Sequence, residues 1–474
     1  MKTTNIVDVL KAGSSDWNNW KWQMQYKAIC SNTDQLVAIG LLDSNFEPRR
    51  RRIGLTPYNV KLLLSLKDSD PEGYRAESLQ SILPTSSKDS EHQWVWAKRH
   101  DLASSKIWER LPIPAFLKIL FTGKGSDTET QALENMYPNT DIIIATATCA
   151  RHCSFCFREV GDAHGEASQI TGDLEEVQMA VKEAIERKTP HILVTGGDPL
   201  TRNNKQLREI LEPLVKSETV QVLRLATRLV VDLPMRFYDT ELLEMFREFA
   251  SRMKSRNASF RIVTHVNHPC ELASEAIRAI KNIQSSGVDI MDQTVVLRGV
   301  NDKPEILSRL LMTLDRLGIR NHKLFHAMPV AGTEHLRIPM RRFRKLLSTL
   351  HQFLPGTSVP QANAPTLVGK MPITPSGRWM LSIPFTNRII CRSFRGEWYL
   401  FRDTWDIRRH LKEVGIALTL ALSLTILAQA PRVKPQFTKI VVLPNALLDE
   451  WFIRKNFEPF VSGDALVIPQ TMIE

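Results

Sequence analysis

The sequence predicts an α/β fold built from six consecutive strand–helix units between Asp141 and Phe353. Three observations carry this. Short apolar, β-branched runs recur along the segment. Each is followed by a stretch whose apolar residues step by three and four, as on one face of a helix. Residues suited to chemistry sit at or just after the ends of the runs, where parallel α/β folds gather their loops into a site. Six such units, joined by right-handed crossovers, form an open doubly wound sheet or a partial barrel. Pattern alone does not choose.

The strands are, in order, DIIIATAT (141–148), HILVTGG (191–197), VQVLRLAT (220–227), FRIVTHV (260–266), MDQTVVLRG (291–299) and HKLFHAMPV (322–330). Their composition suits strands buried on both faces of a parallel sheet. After the first strand, DLEEVQMAVKEAIERK places Leu174, Val177, Ala180, Val181, Ala184 and Ile185 on one helical face. Asp173 and Glu176 predict a capping pair at its start. ELLEMFREFASRM, ELASEAIRAIKNIQSSG and PEILSRLLMTLDRLG repeat the theme, and the last two end at a glycine, as helix C-termini prefer.

Residues 1–140 read as a helical, tryptophan-rich region, 354–395 as a loop-rich segment, and the rest as a tail with little pattern. The 474 residues, 43% hydrophobic and 24% charged, suit a globular protein with a sizeable core. Six cysteines in this length make no disulfide framework, and reduced thiols in a cytosol fit better. The opening MKTTNIVDVLKAGSSDW lacks a long apolar core, so a cytoplasmic chain is expected. A net charge of +11 and the run Pro48–Arg52 allow contact with phosphate-bearing partners, yet a solvated loop is the preferred reading and no nucleic-acid partner is expected. Val414 to Ala430 is uncharged for 17 residues. A membrane span needs about 20, so a buried helix is expected there and no membrane contact.

Cys149, Cys153 and Cys156 lie within eight positions just after the first strand. Three close thiolates can hold three irons of a [4Fe–4S] cluster and leave the fourth iron open to a small molecule. A structural zinc site using His152 lacks the usual paired spacing, and a disulfide leaves one thiol over. TGGDPL (195–200) ends the second strand, and its glycines let backbone approach a ligand closely.

This cysteine spacing is the signature of the radical S-adenosylmethionine (SAM) enzymes, and TGGDPL matches their SAM-binding segment. Together with DWNNWKWQ (16–23), YPNT (137–140), RLATRLVVDLPMR (224–236), THVNHP (264–269), DQTVVLRGVND (292–302) and GTEHLRIP (332–339), the chain resembles a lysine 2,3-aminomutase over residues 16–380. The resemblance implies a partial (β/α)6 barrel of the radical SAM type. It implies that Cys149, Cys153 and Cys156 ligate the cluster, that Gly196, Gly197 and Asp198 bind SAM, and that an electron donor such as flavodoxin or ferredoxin serves it. It further implies pyridoxal 5′-phosphate (PLP) and an isomerase that moves the α-amino group of a free amino acid to Cβ. Family members often form homo-oligomers.

PLP chemistry needs a lysine, and NAPTLVGK (363–370), aligned with the family's lysine segment, nominates Lys370. Arg158 aligns with the arginine whose guanidinium fork pairs with the substrate carboxylate. Gln293 aligns with a polar residue of the PLP and SAM region, and for His265 and His268 a site role and a structural hydrogen bond are equally open.

Three departures matter. Where lysine-acting members hold the distant ammonium with two aspartates, this chain has Met328 and Asn363; glutamate-acting members carry lysine and asparagine. An ammonium in a dry site without carboxylates is poorly compensated, so a substrate other than lysine is expected, with His326 close by. The arginine for the PLP phosphate aligns with Thr140, whose hydroxyl is the expected replacement together with backbone amides. Only Cys391 remains of the C-terminal cysteines that hold zinc in lysine-acting members, so no zinc is expected, and Cys30 and Cys270 read as free thiols. The expected organisation is an N-terminal region (1–135), a radical SAM core (136–353), a PLP-lysine segment (354–395) and an extension (396–474). Two alternatives stay open: a radical SAM enzyme without PLP acting on another substrate such as RNA, and a non-catalytic relative.

Overall fold

The computed structural model describes residues 5–46, 52–82, 132–137, 139–156, 172–328, 333–366, 369–377, 380–394, 398–404, 411 and 414–420. The chain divides into two compact units, Met1–Trp405 and Asp406–Glu474.

In the first unit the strands are β1 (Leu133–Tyr137), β2 (Thr140–Ile144), β3 (His191–Thr195), β4 (Val222–Ala226), β5 (Ser259–Thr264), β6 (Asp289–Val296), β7 (Arg320–His326), β8 (Gln361–Thr366) and β9 (Gly369–Pro372). They form one sheet in sequence order. β2 to β8 run parallel, while β1 and β9 close the two ends as antiparallel partners of β2 and β8. Helices Leu174–Glu186, Asn204–Lys216, Thr240–Ser255, Ser274–Ser285, Pro304–Arg316 and Met340–Phe353 follow β2 to β7 in turn. With sequential strands and right-handed crossovers, every helix lands on the same face and the sheet curls away from it. The result is a partial barrel that does not close.

All six expected strands form, each ending earlier than its apolar run because the last residues leave the sheet as loops. Burial on both faces does not hold. Ile192, Val194, Leu223, Leu225, Phe260, Ile262 and Leu324 pack under the helices, with relative exposure of 4% or less. Their alternates His191, Arg224 and Arg261 lie half-buried on the inner face, as the two-residue period of a strand requires. Asp173 does stand at the N-cap of Leu174–Glu186, but its side chain makes no capping bond.

The N-terminal helices build a core of their own around Ile6, Leu36, Leu55, Val60 and Leu63. They dock on the barrel through polar contacts. Trp20 Nε1 donates to Asp239 (3.2 Å), and the Arg236 guanidinium lies 4.4 Å above the Trp20 ring. Asn59, which caps helix Pro57–Ser69 together with Thr56, donates to Asp232 O at 2.8 Å. The segment 354–395, expected to be loop-rich, holds β8, β9, β10 (Met380–Ser382) and β11 (Arg388–Arg392); β10 and β11 form a three-stranded antiparallel sheet with β12 (Trp398–Arg402) of the expected tail.

In the second unit Val414–Leu420 is helical. Ile416 and Leu418 are 61% and 66% exposed, so this part of the expected buried helix is not buried. Among the described residues no helix is long and apolar enough to cross a membrane.

Candidate active site

The loop after β2 carries the three cysteines. All three cysteines are half-buried and none is in a disulfide; burial pushes the Cys153 thiol up to about 12. The loop is braced from the N-terminal region. His152 N donates to Gly54 O (3.0 Å), Ser154 N to Gln80 O (2.9 Å) and Ser154 Oγ to Leu79 O (2.5 Å). Lys27 Nζ donates to Cys149 O at 2.8 Å and lies 3.0 Å from His152 Nε2. His152 Nδ1 faces Arg52 O at 3.1 Å, which fits the tautomer with hydrogen on Nδ1. Of the basic run Pro48–Arg52 only Arg52 belongs to the described residues.

The donor set, three thiols on one loop at the mouth of a partial barrel, fits a cluster with one open iron. Among the described residues no three His, Cys, Asp or Glu side chains are gathered tightly enough to hold a metal. Ligation therefore requires the thiols to turn toward a common point.

Gly196, Gly197 and Asp198 follow β3. Gly196 has φ +140°, and a Cβ there would meet Thr146 O at 2.4 Å; one on Gly197 would meet Thr148 O at 2.3 Å. Gly197 N donates to Thr146 O (2.6 Å) and Asp198 N to Thr148 O (2.7 Å). The close approach of the cysteine loop by itself requires glycine at both positions. The Asp198 carboxylate turns inward and accepts from Thr227 Oγ1 (2.9 Å), Arg228 N (2.8 Å) and Leu200 N (3.1 Å). Burial lifts its carboxyl to about 7.

Beneath the loops runs a buried ion network that sequence reasoning missed. Arg151 Nη1 lies 2.7 Å from Glu77 Oε1 and 2.9 Å from Asp232 Oδ1. Arg228 pairs with Asp232 and with Glu271, each at 3.0 Å. Gln80 Nε2 donates to Glu271 (2.8 Å), and Asn267 Nδ2 donates to Gln80 Oε1 (2.9 Å). The network ties helix Pro71–Ser81 to the loops after β2, β4 and β5.

His265 joins the site: its ring meets Phe155, between the second and third cysteines, at 5.3 Å, and its Nε2 lies 2.9 Å from Asn267 Oδ1. Burial, with Arg228 nearby, lowers its pKa to about 3. His268 instead caps the turn Pro269–Glu271, its Nδ1 accepting from Cys270 N at 3.2 Å.

The other expected residues lie on the inner face. Gln293 on β6 is half-buried beside β7. Lys370 on β9 opposes Pro365, with Nζ 5.5 Å from the centre of the Phe325 ring. Asn363 on β8 is fully buried; its Nδ2 donates to Gln361 O (3.0 Å) while Oδ1 has no partner. Phe325, Asn363 and Pro372 are consecutive partners across β7, β8 and β9. Met328 follows β7, half-buried, its carbonyl accepting from Thr333 Oγ1 at 3.2 Å.

His326 does not reach the site. Its ring is buried between Phe343 (5.6 Å) and Phe401 (5.7 Å), with Nε2 2.7 Å from Ile338 O. It faces the helices because it alternates with the inward Phe325. Thr140 opens β2 beside His191, four residues or about 13 Å of strand from the loop end. Arg158 lies outside the described residues.

The radical SAM superfamily model matches residues 143–311. The chain is 26% identical over 418 residues to a glutamate 2,3-aminomutase of Clostridioides difficile, covering 86% of this chain and 88% of that one. It is 24% identical over 424 residues to an L-lysine 2,3-aminomutase of Acetoanaerobium sticklandii (85% and 91%) and 25% identical over 393 residues to that of Clostridium subterminale (81% and 83%).

Proposed function

We propose that the chain, related over most of its length to lysine and glutamate 2,3-aminomutases, is a radical SAM, PLP-dependent 2,3-aminomutase acting on an amino acid other than lysine. One observation carries the reading. The three-thiol loop after β2 is held by the Gly197–Asp198 segment, and the inner face of the same sheet presents Lys370 opposite Pro365, with Asn363 two residues along β8. When bound, the cluster with SAM supplies an adenosyl radical, and PLP supplies the electron-accepting ring for nitrogen migration.

The residues of the chain then have separate tasks. Cys149, Cys153 and Cys156 offer three thiolates. His265 forms an edge-to-face pair with Phe155 of the loop that carries the cysteines. Lys370 offers the amine that holds PLP, and Arg158 the fork for the substrate carboxylate. Met328 and Asn363 supply no carboxylate for a distant ammonium, which disfavours lysine.

Anaerobic reconstitution with iron, sulfide, PLP and a reductant tests this. The wild type should cleave SAM to 5′-deoxyadenosine and show pyridoxal absorbance. Alanine at Cys149, Cys153 or Cys156 should abolish the cleavage, and Lys370→Ala should remove the absorbance. Full cleavage by any cysteine variant, or unchanged absorbance in Lys370→Ala, contradicts the assignment.

A further inference from the structure

The inner face of the sheet carries a group of cations that the reading above leaves unused. Arg224 on β4 and Arg261 on β5 are direct neighbours in register. On β7 His322 is the extra residue of a bulge, because Asp292 and Gln293 of β6 face Asn321 and Lys323. Asn321 and Leu324 are buried on the outer side, so the bulge turns both His322 and Lys323 inward.

β4 and β7 are three strand spacings apart, about 14 Å along a flat sheet. Arg224 is nevertheless close enough to depress Lys323, after the effect of burial. Burial together with Lys323, Arg224 and Lys370 lowers His322 to about 4. The curl of the sheet thus brings His322 and Lys323 within electrostatic reach of Arg224, while Lys323 Nζ donates to Gln361 Oε1.

Neither arginine is answered among the described residues. Among the described residues Arg224 and Arg261 make no hydrogen bond or ion pair, and the Nε of each is buried without an acceptor. Of the inner-face carboxylates among those residues, Glu134 lies on β1, and Asp289, exposed at the start of β6, is the register neighbour of Arg261; neither forms an ion pair with either arginine. Adjacent half-buried guanidiniums without a counterion are costly. Such a pair is kept where an anion completes it.

We propose that Arg224, Arg261 and Lys323 form an oxyanion-binding site on the same face as Lys370, filled by the phosphate of the cofactor or by an anionic side-chain group of the substrate. Guanidinium forks pair bidentately with both chemistries. The site would take up the phosphate role expected of the Thr140 hydroxyl. The ligand assignment rests on the aminomutase reading, whereas anion binding itself does not.

The test uses the full chain without metal, titrated with inorganic phosphate, PLP, pyridoxal and glutamate. Binding is followed by the rise in Tm and, for the pyridoxals, by absorbance. Phosphate should stabilise the wild type, and Arg224→Gln and Arg261→Gln should each weaken its binding by at least about tenfold. Arg224→Lys and Arg261→Lys, which keep the charge, should retain part of it. Loss of PLP affinity with pyridoxal unaffected assigns the site to the cofactor phosphate; loss of glutamate binding with PLP unaffected assigns it to the substrate, and either supports the site. Phosphate binding lost in the variants, alongside an absence of any β-amino product, leaves the site standing and the aminomutase reading refuted. A folded wild type that binds phosphate no better than the folded glutamine variants overturns the proposal.

Discussion

Replacing Gly197 by alanine should dislodge the cysteine loop. An ideal Cβ there lies 2.3 Å from Thr148 O, 2.7 Å from the Thr148 carbonyl carbon and 2.9 Å from that of Ala147. These are backbone atoms, so no rotamer change relieves the overlap, and the loop must recede by about 1 Å to reach ordinary contact. That movement weakens the 2.6 Å bond from Gly197 N and the 2.7 Å bond from Asp198 N. Two such bonds are worth about 1 kcal/mol each, and overpacking adds about 1–3 kcal/mol. Lower entropy of the unfolded chain returns only about 0.5 kcal/mol. The expected net loss is about 3 kcal/mol, read from urea unfolding of the metal-free full chain.

Gly287→Ala is the comparison. That glycine has φ +78° and nothing within 4 Å of its would-be Cβ, so only the left-handed backbone costs, about 1 kcal/mol. Iron uptake on reconstitution should also fall in Gly197→Ala, because Cys149 follows Thr148 directly. A Gly197→Ala protein no less stable than Gly287→Ala, with full iron uptake, refutes the reasoning.

Other expectations rest on the buried charges. Glu77→Ala leaves the Arg151 guanidinium buried with half its compensation, and should cost about 3 kcal/mol of unfolding free energy; a loss below about 1 kcal/mol would show that the pair is not coupled to folding. Burial raises the Asp292 carboxyl from 3.8 to about 7 despite bonds from Thr294 Oγ1 and Val266 N. The folded chain thus favours the protonated acid, so its contribution is complete below the unfolded value and is lost as pH rises through about 7. The wild type should lose more stability than Asp292→Asn between about pH 4 and pH 8, and parallel pH profiles would contradict this. His326→Phe should leave the choice of substrate unchanged, because the ring packs between Phe343 and Phe401 outside the site; an altered product spectrum would return His326 to it.

The parallel core was legible because its strands are apolar, β-branched and each followed by a helix-period segment. β1, β8 and β9 were not. LENMY and QANAPT show no apolar alternation, Pro365 interrupts β8, and these strands are defined by pairing with their neighbours. The thiol loop was readable from spacing alone. The ion network beneath it was not, since Glu77, Arg151, Arg228, Asp232 and Glu271 are scattered single charges that read as surface until folding brings them together. The close packing of the Gly-Gly pair against the cysteine loop was not legible, because the two segments meet only through the fold. The inner-face cations were hidden by strand alternation and by the bulge at His322, which sequence period does not reveal.

The most direct measurement is product analysis under anaerobic conditions. Reconstituted protein with iron, sulfide, PLP, SAM and a reductant is offered a panel of L-amino acids, and chromatography with mass spectrometry separates α from β isomers. The account predicts a β-amino product from an amino acid other than lysine, lost in Lys370→Ala. Steady SAM cleavage with no isomer from any amino acid, or lysine as the preferred substrate, would contradict it.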